Sequence, residues 1–554
     1  MNGSRVLAFS TILAVLAGCG GGTPGGGQGV VPASAGRERG DAAVTQKIVA
    51  VGDSLTAGYQ ADGILGQTGV PNPIFPGSTI PPTQESGWWS LLAEQASSLP
   101  LQSAIAQMYD PSTSPLPLIK GPGLDNQIVG TGPSNFEPFG QFKGSDPCTY
   151  ANGFNQAGFG YRSSARVRMN PDSTAIRNVG IPGLTLHEAN TIHQPQTQTC
   201  SNLPGIPGLL STVVNEESGT YWPVLRNFTN LGPHLTDVNA AASRHPTLAT
   251  VWLGANDVLK YMGSGGRFVG GDRNAGQAEA DLRAAISTLQ HSGARVVVAN
   301  LPDIVATGYF QRVDHPRPPN HQCRLASYAY CLLQLASLQS QLHAIAKQYG
   351  LDTPHGCIPT SVTKPCGYLT LPAVLLIDLY ANNNQGQIPN LDCANPAPHC
   401  KAVKGSGLGS NYITPEFAAK VQALNNAINA GIDNAASSEH VPLVDVHAIF
   451  HGLASGDPSN PYFREAASIA PGVCCTIGYF YQGPPPSFAS LTGGILSFDG
   501  IHPSNTGYAL IAYDFIKAIN EAYGAHIPEV DVKAVYDGSR CKKYCFPDPY
   551  APHA

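Results

Sequence analysis

The chain has 554 residues, of which 42% are hydrophobic and 12% charged, with 61 glycines and 47 prolines. This hydrophobic share supports a substantial core and excludes an intrinsically disordered chain, while the Gly and Pro content indicates long loops. The net charge is −6, from 31 Lys and Arg against 37 Asp and Glu, without long charged runs, so nucleic acid is not an expected partner.

The N-terminal segment has the pattern of an export signal. Arg5 precedes the apolar run 6–16, which is too short to span a bilayer as a mature helix. The run ends at Leu16-Ala17-Gly18-Cys19, which resembles the lipobox of bacterial lipoproteins, and this implies cleavage after residue 18 and a lipid on Cys19. The alternative is an ordinary secretory signal followed by chance by a cysteine.

These features predict a signal peptide over residues 1–18 and a flexible Gly-rich tether over residues 19–44. The protein is then expected to be exported and anchored through Cys19 to a membrane of the bacterial cell envelope, the outer membrane in a Gram-negative cell. One hydrolase domain would occupy residues 45–554.

Strand-like and helix-like segments alternate after the tether. Apolar runs typical of buried parallel strands occupy Lys47 to Val51, Ala175 to Val179, Thr247 to Leu253, Ala294 to Leu301 and Val441 to Val446. Helical periodicity occupies Tyr221 to Ser243, Ala275 to His291, Ser327 to Tyr349, Pro415 to Ser437 and Asn505 to Tyr523. The alternation predicts a doubly wound α/β sandwich, in which reactive groups lie at the carboxyl ends of the strands.

Three long stretches do not fit this alternation. Residues near 60–172, 351–412 and 450–497 are rich in Gly, Pro and Asn. We predict that they are insertions at loops, and that they form lids or walls of the substrate cleft.

The first strand passes directly into Gly52-Asp53-Ser54 at the predicted start of a helix. A neighbouring base can take the proton of such a serine, and helix N-terminal N–H groups can stabilise an oxyanion. The position therefore suits Ser54 as a nucleophile. Alternatively, Asp53 or Ser54 would only cap the helix.

Two further motifs follow strands. Asn178-Val179-Gly180-Ile181-Pro182-Gly183-Leu184-Thr185 offers a backbone N–H where no side chain blocks close approach, and Leu253-Gly254-Ala255-Asn256-Asp257 places an Asn amide at a strand end. Both groups are candidate donors to an oxyanion. Each motif taken alone also fits turn chemistry.

The last motif, Asp499-Gly500-Ile501-His502-Pro503, precedes a helix-like segment. A turn of this length can bring Asp499 to one imidazole nitrogen of His502 and leave the other nitrogen to face a nucleophile. The motif therefore offers a base with its orienting carboxylate. Alternatively, Asp499 or Ser504 caps the helix and His502 is merely exposed.

Together these motifs, in the order GDSLTAGY, IPGLT, LGAND and DGIHP, resemble the SGNH or GDSL hydrolase family. The resemblance implies a flavodoxin-like three-layer α/β/α sandwich with a mostly parallel sheet, carrying long insertions here. It implies hydrolysis of carboxylic esters by Ser54 as nucleophile, with His502 as base and Asp499 as its orienter.

The resemblance also assigns the oxyanion hole to Ser54, Gly183 and Asn256, with Gly180 as the alternative glycine. It requires no cofactor and no metal. The expected partners are an ester substrate, either a lipid, a small ester or an acylated glycan, and the membrane that holds the lipid anchor. The alternatives are a carbohydrate O-deacetylase with the same catalytic set, for which Tyr150, Phe154, Phe159 and Tyr161 offer a stacking surface, and a non-catalytic surface-binding lipoprotein.

Thirteen cysteines are present, and twelve remain once Cys19 carries lipid. An even number in an exported chain favours a disulfide framework. Spacing does not determine the connectivity. Local pairing is one arrangement, which would join Cys323 to Cys331, Cys357 to Cys366, Cys393 to Cys400 and Cys541 to Cys545, with the adjacent Cys474 and Cys475 bonded to different partners. Zinc is the competing interpretation for Cys393 to Cys400, although paired CxxC motifs are lacking.

Overall fold

The computed structural model describes residues 44–119, 168–200, 212–215, 221–312, 368–370, 412–455, 480–481, 491–497 and 500–548, with gaps of up to five residues inside the longer ranges, and also Ser459 and Arg464. The predicted signal peptide, the predicted tether before Val44 and Cys19, the predicted lipidation site, lie outside these residues, as do most of the predicted insertions.

Five parallel strands form the central sheet. They are β1 (Ile48–Gly52), β2 (Asn178–Gly180), β3 (Leu248–Trp252), β4 (Arg295–Ala299) and β5 (Leu443–Val444), and they are ordered β2-β1-β3-β4-β5. Strands β1 and β3 are buried along their whole length and pair from Ile48 with Leu248 to Gly52 with Trp252. Their continuous apolar sequences follow from burial on both faces, which confirms the predicted parallel sheet.

Helices cover both faces of this sheet. In chain order they are α1 (Ser54–Ala57), α2 (Trp88–Ala96), α3 (Leu101–Tyr109), α4 (Trp222–Leu225), α5 (Asp237–Ala242), α6 (Ala255–Gly263), α7 (Ala275–His291), α8 (Pro415–Ser438), α9 (Val446–Ser455), α10 (Asn505–Tyr523) and α11 (Val532–Tyr536). One group packs around α7, which contacts α5 and α8, and another around α10, which contacts α2 and α11. The predicted three-layer α/β/α architecture is therefore confirmed, with the strand order of flavodoxin-like sheets.

The strand order creates a crevice at β1. The chain passes from β1 to β2 on one side of it and then to β3 on the other side. In doubly wound sheets the loops diverge at such a reversal, and ligands bind at the carboxyl ends of the strands there. The segments after β1, β2 and β3 therefore meet at one place.

Short strands outside this sheet form small antiparallel pairs. Val70–Pro71 pairs with Thr79–Ile80, Thr197–Cys200 with Thr212–Asn215, and Phe480–Tyr481 with Leu491–Thr492, while Tyr368–Thr370 lies between Phe310–Arg312 and Tyr412–Ile413. Short 3₁₀ turns lie at Glu188–Asn190 and Ile304–Ala306.

Two predicted boundaries are wrong. The helix expected over Tyr221 to Ser243 is instead α4, a 3₁₀ segment Arg226–His234 and α5, because Gly232 has a φ of 53° and is followed by Pro233, which cannot donate a backbone hydrogen bond. Val44, assigned to the end of the tether, is buried in the core. The predicted helix Ser327 to Tyr349 lies outside the described residues.

Part of the stretch 60–172 also differs from the predicted insertion. It contains α2 and α3, and Trp88, Trp89, Leu91 and Leu92 of α2 are fully buried. The Trp88 ring stacks on Phe515 of α10 with centroids 4.1 Å apart. Residues 88–109 therefore belong to a layer of the sandwich rather than to a wall of the cleft.

The C-terminal segment returns to this layer. After α11, the buried Arg540 donates to Glu94 of α2 and to Glu85, which precedes that helix. Burial raises the pKa of Glu94 to about 7, although the Arg540 charge opposes the rise. The disulfide between Cys541 and Cys545, which confirms one predicted pair, lies beside this cluster. The other predicted pairs lie outside the described residues.

Within the described part of the chain, the helices all fall short of the length or the apolar character that crossing a bilayer requires.

Candidate active site

The candidate nucleophile lies where β1 passes into α1. Asp53 caps the helix, because its Oδ1 accepts a hydrogen bond from the Leu55 N–H at 2.9 Å. Ser54 is the first residue of α1 and is 8% exposed. The capping role that the sequence also allowed is therefore filled by Asp53, which leaves the Ser54 hydroxyl to another partner.

That partner is His502, which lies on a tight turn before α10. The Ser497 N–H donates to the His502 carbonyl at 2.7 Å, and Gly500 within the turn has a φ of 72°. The imidazole is buried, with its Nε2 at 2.9 Å from Ser54 Oγ across 448 residues of sequence. The alternative of an exposed His502 is wrong, although Ser504 does cap α10.

An aromatic ring packs on the imidazole of His502. The ring centroids of Tyr59 and His502 are 4.4 Å apart, with an angle of 35° between the planes. Tyr59 is itself held in place, since the Tyr508 hydroxyl donates to its carbonyl at 2.6 Å. This contact limits the rotation of the imidazole. Asp499, the predicted orienter of His502, lies outside the described residues.

The Asn256 amide lies in the first turn of α6, directly after β3. Its Nδ2 donates to Asp53 Oδ2 at 3.1 Å and to the Leu184 carbonyl at 3.1 Å. A primary amide carries two N–H groups, so both of these are engaged. Asn256 therefore joins the segment after β1 to the segment after β2, as the strand order predicts.

The two candidate glycines after β2 differ in their surroundings. The Gly180 N–H already donates to Asn178 Oδ1 at 2.8 Å, and a Cβ on Gly180 would lie 2.5 Å from the Ala57 nitrogen, so this glycine serves close packing of β2 against α1. Gly183 has a φ of +80° and open space around the position of a Cβ. No acceptor among the described residues binds the Gly183 N–H. The geometry therefore favours Gly183 as the donor.

Two carboxyl groups close to Asn256, those of Asp53 and Asp257, are buried. Burial raises the pKa of Asp53 to about 7, although the Leu55 N–H and the proximity of His502 lower it. Burial likewise raises the pKa of Asp257 to about 6, against hydrogen bonds from the N–H groups of Leu186 and Asp272. Asp257 thus fixes the loop after β2 beside Asn256.

The cleft at Ser54 has mainly apolar walls. Its volume is about 20 Å³, which is room for a water molecule. The apolar part of its lining comprises Leu55, Trp252, Ala255, Leu259, Pro302, Ile304, Phe450, Ile501 and Pro503, and the polar part Ser54, Asn256, Thr307 and His502. No three metal-ligating side chains of the described residues meet here. The stacking surface predicted from Tyr150, Phe154, Phe159 and Tyr161 lies outside the described residues.

Two contributions were missed in the sequence analysis. Asp53 accepts from Asn256 as well as capping α1, and Tyr59 packs on His502. Both residues belong to the segment GDSLTAGY, so their place beside the nucleophile in sequence was the signal that could have identified them. The group that each residue contacts depends on the order of the strands in the sheet, which the motif does not encode.

Comparison with known proteins gives one finding. A family model described as GDSL-like Lipase/Acylhydrolase matches residues 48–385, more than half of the chain. The matched range contains Ser54, Gly183 and Asn256 and ends before His502. No curated protein and no solved structure matches the chain.

Proposed function

The chain belongs to the GDSL-like lipase/acylhydrolase family, and from that premise we propose that it hydrolyses carboxylic esters through an acyl-enzyme on Ser54. The observation that carries this proposal is the buried contact of 2.9 Å between Ser54 Oγ and His502 Nε2. A hydroxyl with a base in hydrogen-bond reach is the arrangement that nucleophilic acyl transfer requires. An intact pair also argues against a non-catalytic binding protein.

The reaction proceeds in two halves. His502 Nε2 accepts the Ser54 proton as Oγ bonds to the ester carbon, and the carbonyl electron pair moves onto oxygen. The intermediate collapses, the ester C–O bond breaks, and the imidazolium gives its proton to the leaving alcohol. His502 then takes a proton from water, whose oxygen attacks the acyl carbon, and the proton returns to Ser54 as the acid departs.

Two groups would hold the His502 imidazole during these transfers. The Tyr59 ring packs on one face of it. Asp499, three residues before His502, would accept from the second ring nitrogen and stabilise the imidazolium that forms. Tyr59 acts on the orientation of the imidazole and Asp499 on its orientation and charge, so neither residue takes part in bond formation.

The oxyanion would be held by the N–H groups of Ser54 and Gly183 and by the Asn256 amide. In the free enzyme both Asn256 N–H groups have acceptors, in Asp53 and in the Leu184 carbonyl. Donation to the oxyanion therefore requires that one of these bonds be shared or exchanged. The Asp53 bond fixes the amide nitrogen next to Asp53, the residue before Ser54.

Replacement of Asn256 by Ala should lower kcat by about 10²–10³-fold with little change in KM, because a donor to the oxyanion acts mainly in the transition state. Steady-state kinetics on a p-nitrophenyl ester measure this. Asn300→Ala is the matched control, since Asn300 is a buried Asn at the end of β4 whose amide donates to Asp445 instead. Equal losses of kcat in the two variants would contradict the role of Asn256.

The apolar walls beside Ser54 support an ester with an apolar acyl group over an acetylated sugar, although the space of about 20 Å³ must widen to admit an acyl chain. Side chains such as Leu55, Leu259 and Phe450 offer hydrocarbon surface beside Ser54. An acetyl group would need little of this surface. We therefore favour an esterase or lipase over a carbohydrate O-deacetylase.

A chain-length series of p-nitrophenyl esters, run beside an acetylated polysaccharide, tests this choice. We expect turnover of esters with acyl chains longer than acetate, with little release of acetate from the polysaccharide. Acetate release without turnover of longer esters would instead identify an O-deacetylase. Activity that persists in the Ser54→Ala variant would refute the proposed mechanism for either substrate.

We propose further that the enzyme is exported and held on a membrane by lipid on Cys19. The lipobox-like segment before Cys19 and the Gly-rich residues after it support this arrangement. Two or more acyl chains supply enough buried hydrocarbon for stable anchoring, whereas one chain does not.

The Cys19→Ala variant should lose membrane association and incorporation of a labelled fatty acid. Fractionation and metabolic labelling of whole cells measure both effects. The control is Cys323→Ala, which removes a cysteine and leaves the lipobox intact. Equal labelling of the wild type and the Cys19→Ala variant would show that the lipid lies elsewhere.

A further inference from the structure

Three side chains outside the active-site cleft place metal-ligating atoms close together. One ligand atom from each of His187, Asp272 and Asp281 lies within 4.8 Å of the other two. His187 Nδ1 lies 2.8 Å from Asp281 Oδ2. His187 lies on the loop after β2, Asp272 precedes α7, and Asp281 lies on α7. The three residues therefore come from separate segments that the fold brings together.

The environment of Asp272 indicates that this cluster lacks a component. Asp272 is 3% exposed, and its Oδ2 is buried without a hydrogen-bond partner among the described residues. A buried polar atom without a partner costs on the order of 1–3 kcal/mol. Asp257 lies nearby and adds a further carboxylate, since its Oδ1 accepts from the Asp272 N–H at 2.7 Å. Several carboxyl groups thus share a small volume.

The cations around this cluster are engaged elsewhere. Lys260 is paired with Glu188, with Nζ at 2.9 Å from Oε2. Arg283, on the same helix as Asp281, is paired with Glu439 at 2.8 Å. The Asp281 carboxyl contacts His187, which is neutral unless it takes up a proton, and the Asp272 carboxyl, which can donate to it only while it holds a proton itself. A bound cation would supply both the missing charge and the missing partner of Asp272.

We infer that His187, Asp272 and Asp281 form a binding site for a divalent transition-metal cation. One imidazole nitrogen with two carboxylates is a mixed donor set, which suits Mn²⁺ or Zn²⁺ better than the all-oxygen preference of Ca²⁺. Exposure of His187, at 58% of its side chain, gives the ion a route from solvent. None of the three residues is among those that line the cleft at Ser54, so the ion would take no part in ester chemistry.

The consequence of binding would be structural. His187 is four residues after Gly183, and the N–H of Leu186 donates to Asp257 Oδ2 at 2.9 Å. An ion on His187 would tie this loop to α7 and to the segment before it. It would therefore stabilise the loop that carries the proposed oxyanion donor.

Mn²⁺ alone is a suitable probe, because its free aqueous ion has a paramagnetic resonance signal that binding abolishes. The full chain, treated with a chelator and dialysed, should take up one equivalent of Mn²⁺, and its melting temperature should rise with Mn²⁺ concentration. Asp272→Asn and His187→Ala should weaken this binding at least tenfold. His187 is exposed, so its variant should fold even if Asp272→Asn does not.

Asp303→Asn is the matched control, because Asp303 forms a second His–Asp pair with His447 at 3.1 Å, and no third metal-ligating side chain of the described residues joins that pair. It should bind Mn²⁺ as the wild type does. Absence of uptake by the wild type, or equal uptake by wild type and His187→Ala, would overturn the inference. The carboxyl groups of Asp272 and Asp281 would then be held together by a shared proton rather than by a metal.

Discussion

Ester hydrolysis should fall by at least about 10⁴-fold in Ser54→Ala and in His502→Ala, and the double variant should be scarcely worse than either. The reason is that the nucleophile and its base act as one unit. Without His502 the Ser54 proton has no acceptor at 2.9 Å, and without Ser54 the base has nothing to activate. Initial rates of the three variants on one p-nitrophenyl ester form the required mutant cycle.

The fold should survive these changes. Asp53 rather than Ser54 caps α1, so Ala at position 54 leaves the hydrogen bond to the Leu55 N–H in place. Ser90→Ala and His447→Ala are matched controls. The first removes a buried hydroxyl and the second removes the imidazole that pairs with Asp303, and neither side chain is hydrogen-bonded to Ser54. Additive losses in the double variant would mean that Ser54 and His502 do not act together.

The proximity of the site residues could be predicted because each motif follows a strand of one sheet. Ser54, Gly183 and Asn256 come after β1, β2 and β3, and parallel strands put their carboxyl ends at one edge. The contacts within the site were beyond prediction. That Asn256 donates to Asp53 depends on side-chain positions across 203 residues, which no local pattern encodes.

The strands and the helices α7, α8 and α10 were predictable for a similar reason, since long periodic segments carry the strongest signal. Segment α2 was missed because its apolar residues lie between loops rich in Gly and Pro and it spans only nine residues. Burial of Trp88 and Trp89 depends on packing against the distant α10. Short helices of this kind are defined by tertiary contacts more than by their own sequence.

The Arg540 cluster likewise depends on contacts between residues far apart in the sequence, and its disruption should have a large effect on the free energy of unfolding. Replacement of Arg540 by Met should lower the free energy of unfolding by about 3–5 kcal/mol, because Glu85 and Glu94 would remain buried without their cation. Chemical denaturation followed by fluorescence measures this loss. Arg283→Met is the control, since Arg283 forms an exposed ion pair with Glu439 and its loss should leave the transition midpoint almost unchanged.

The stability lost in Arg540→Met should also depend on pH, in a direction that follows from the pKa of Glu94. In the native state this pKa is raised from 4.5 to about 7 by burial, so the folded protein holds a proton that the unfolded chain releases. The associated stability is present below pH 4.5 and is lost as the pH rises through 7. Without Arg540 the pKa should rise further, and the defect of Arg540→Met should be small near pH 5 and large near pH 8.

A triple variant that adds Glu85→Gln and Glu94→Gln should recover most of the stability at pH 8, because it leaves no buried charge. A defect in Arg540→Met that is the same at both pH values would mean that Arg540 acts through packing and not through charge.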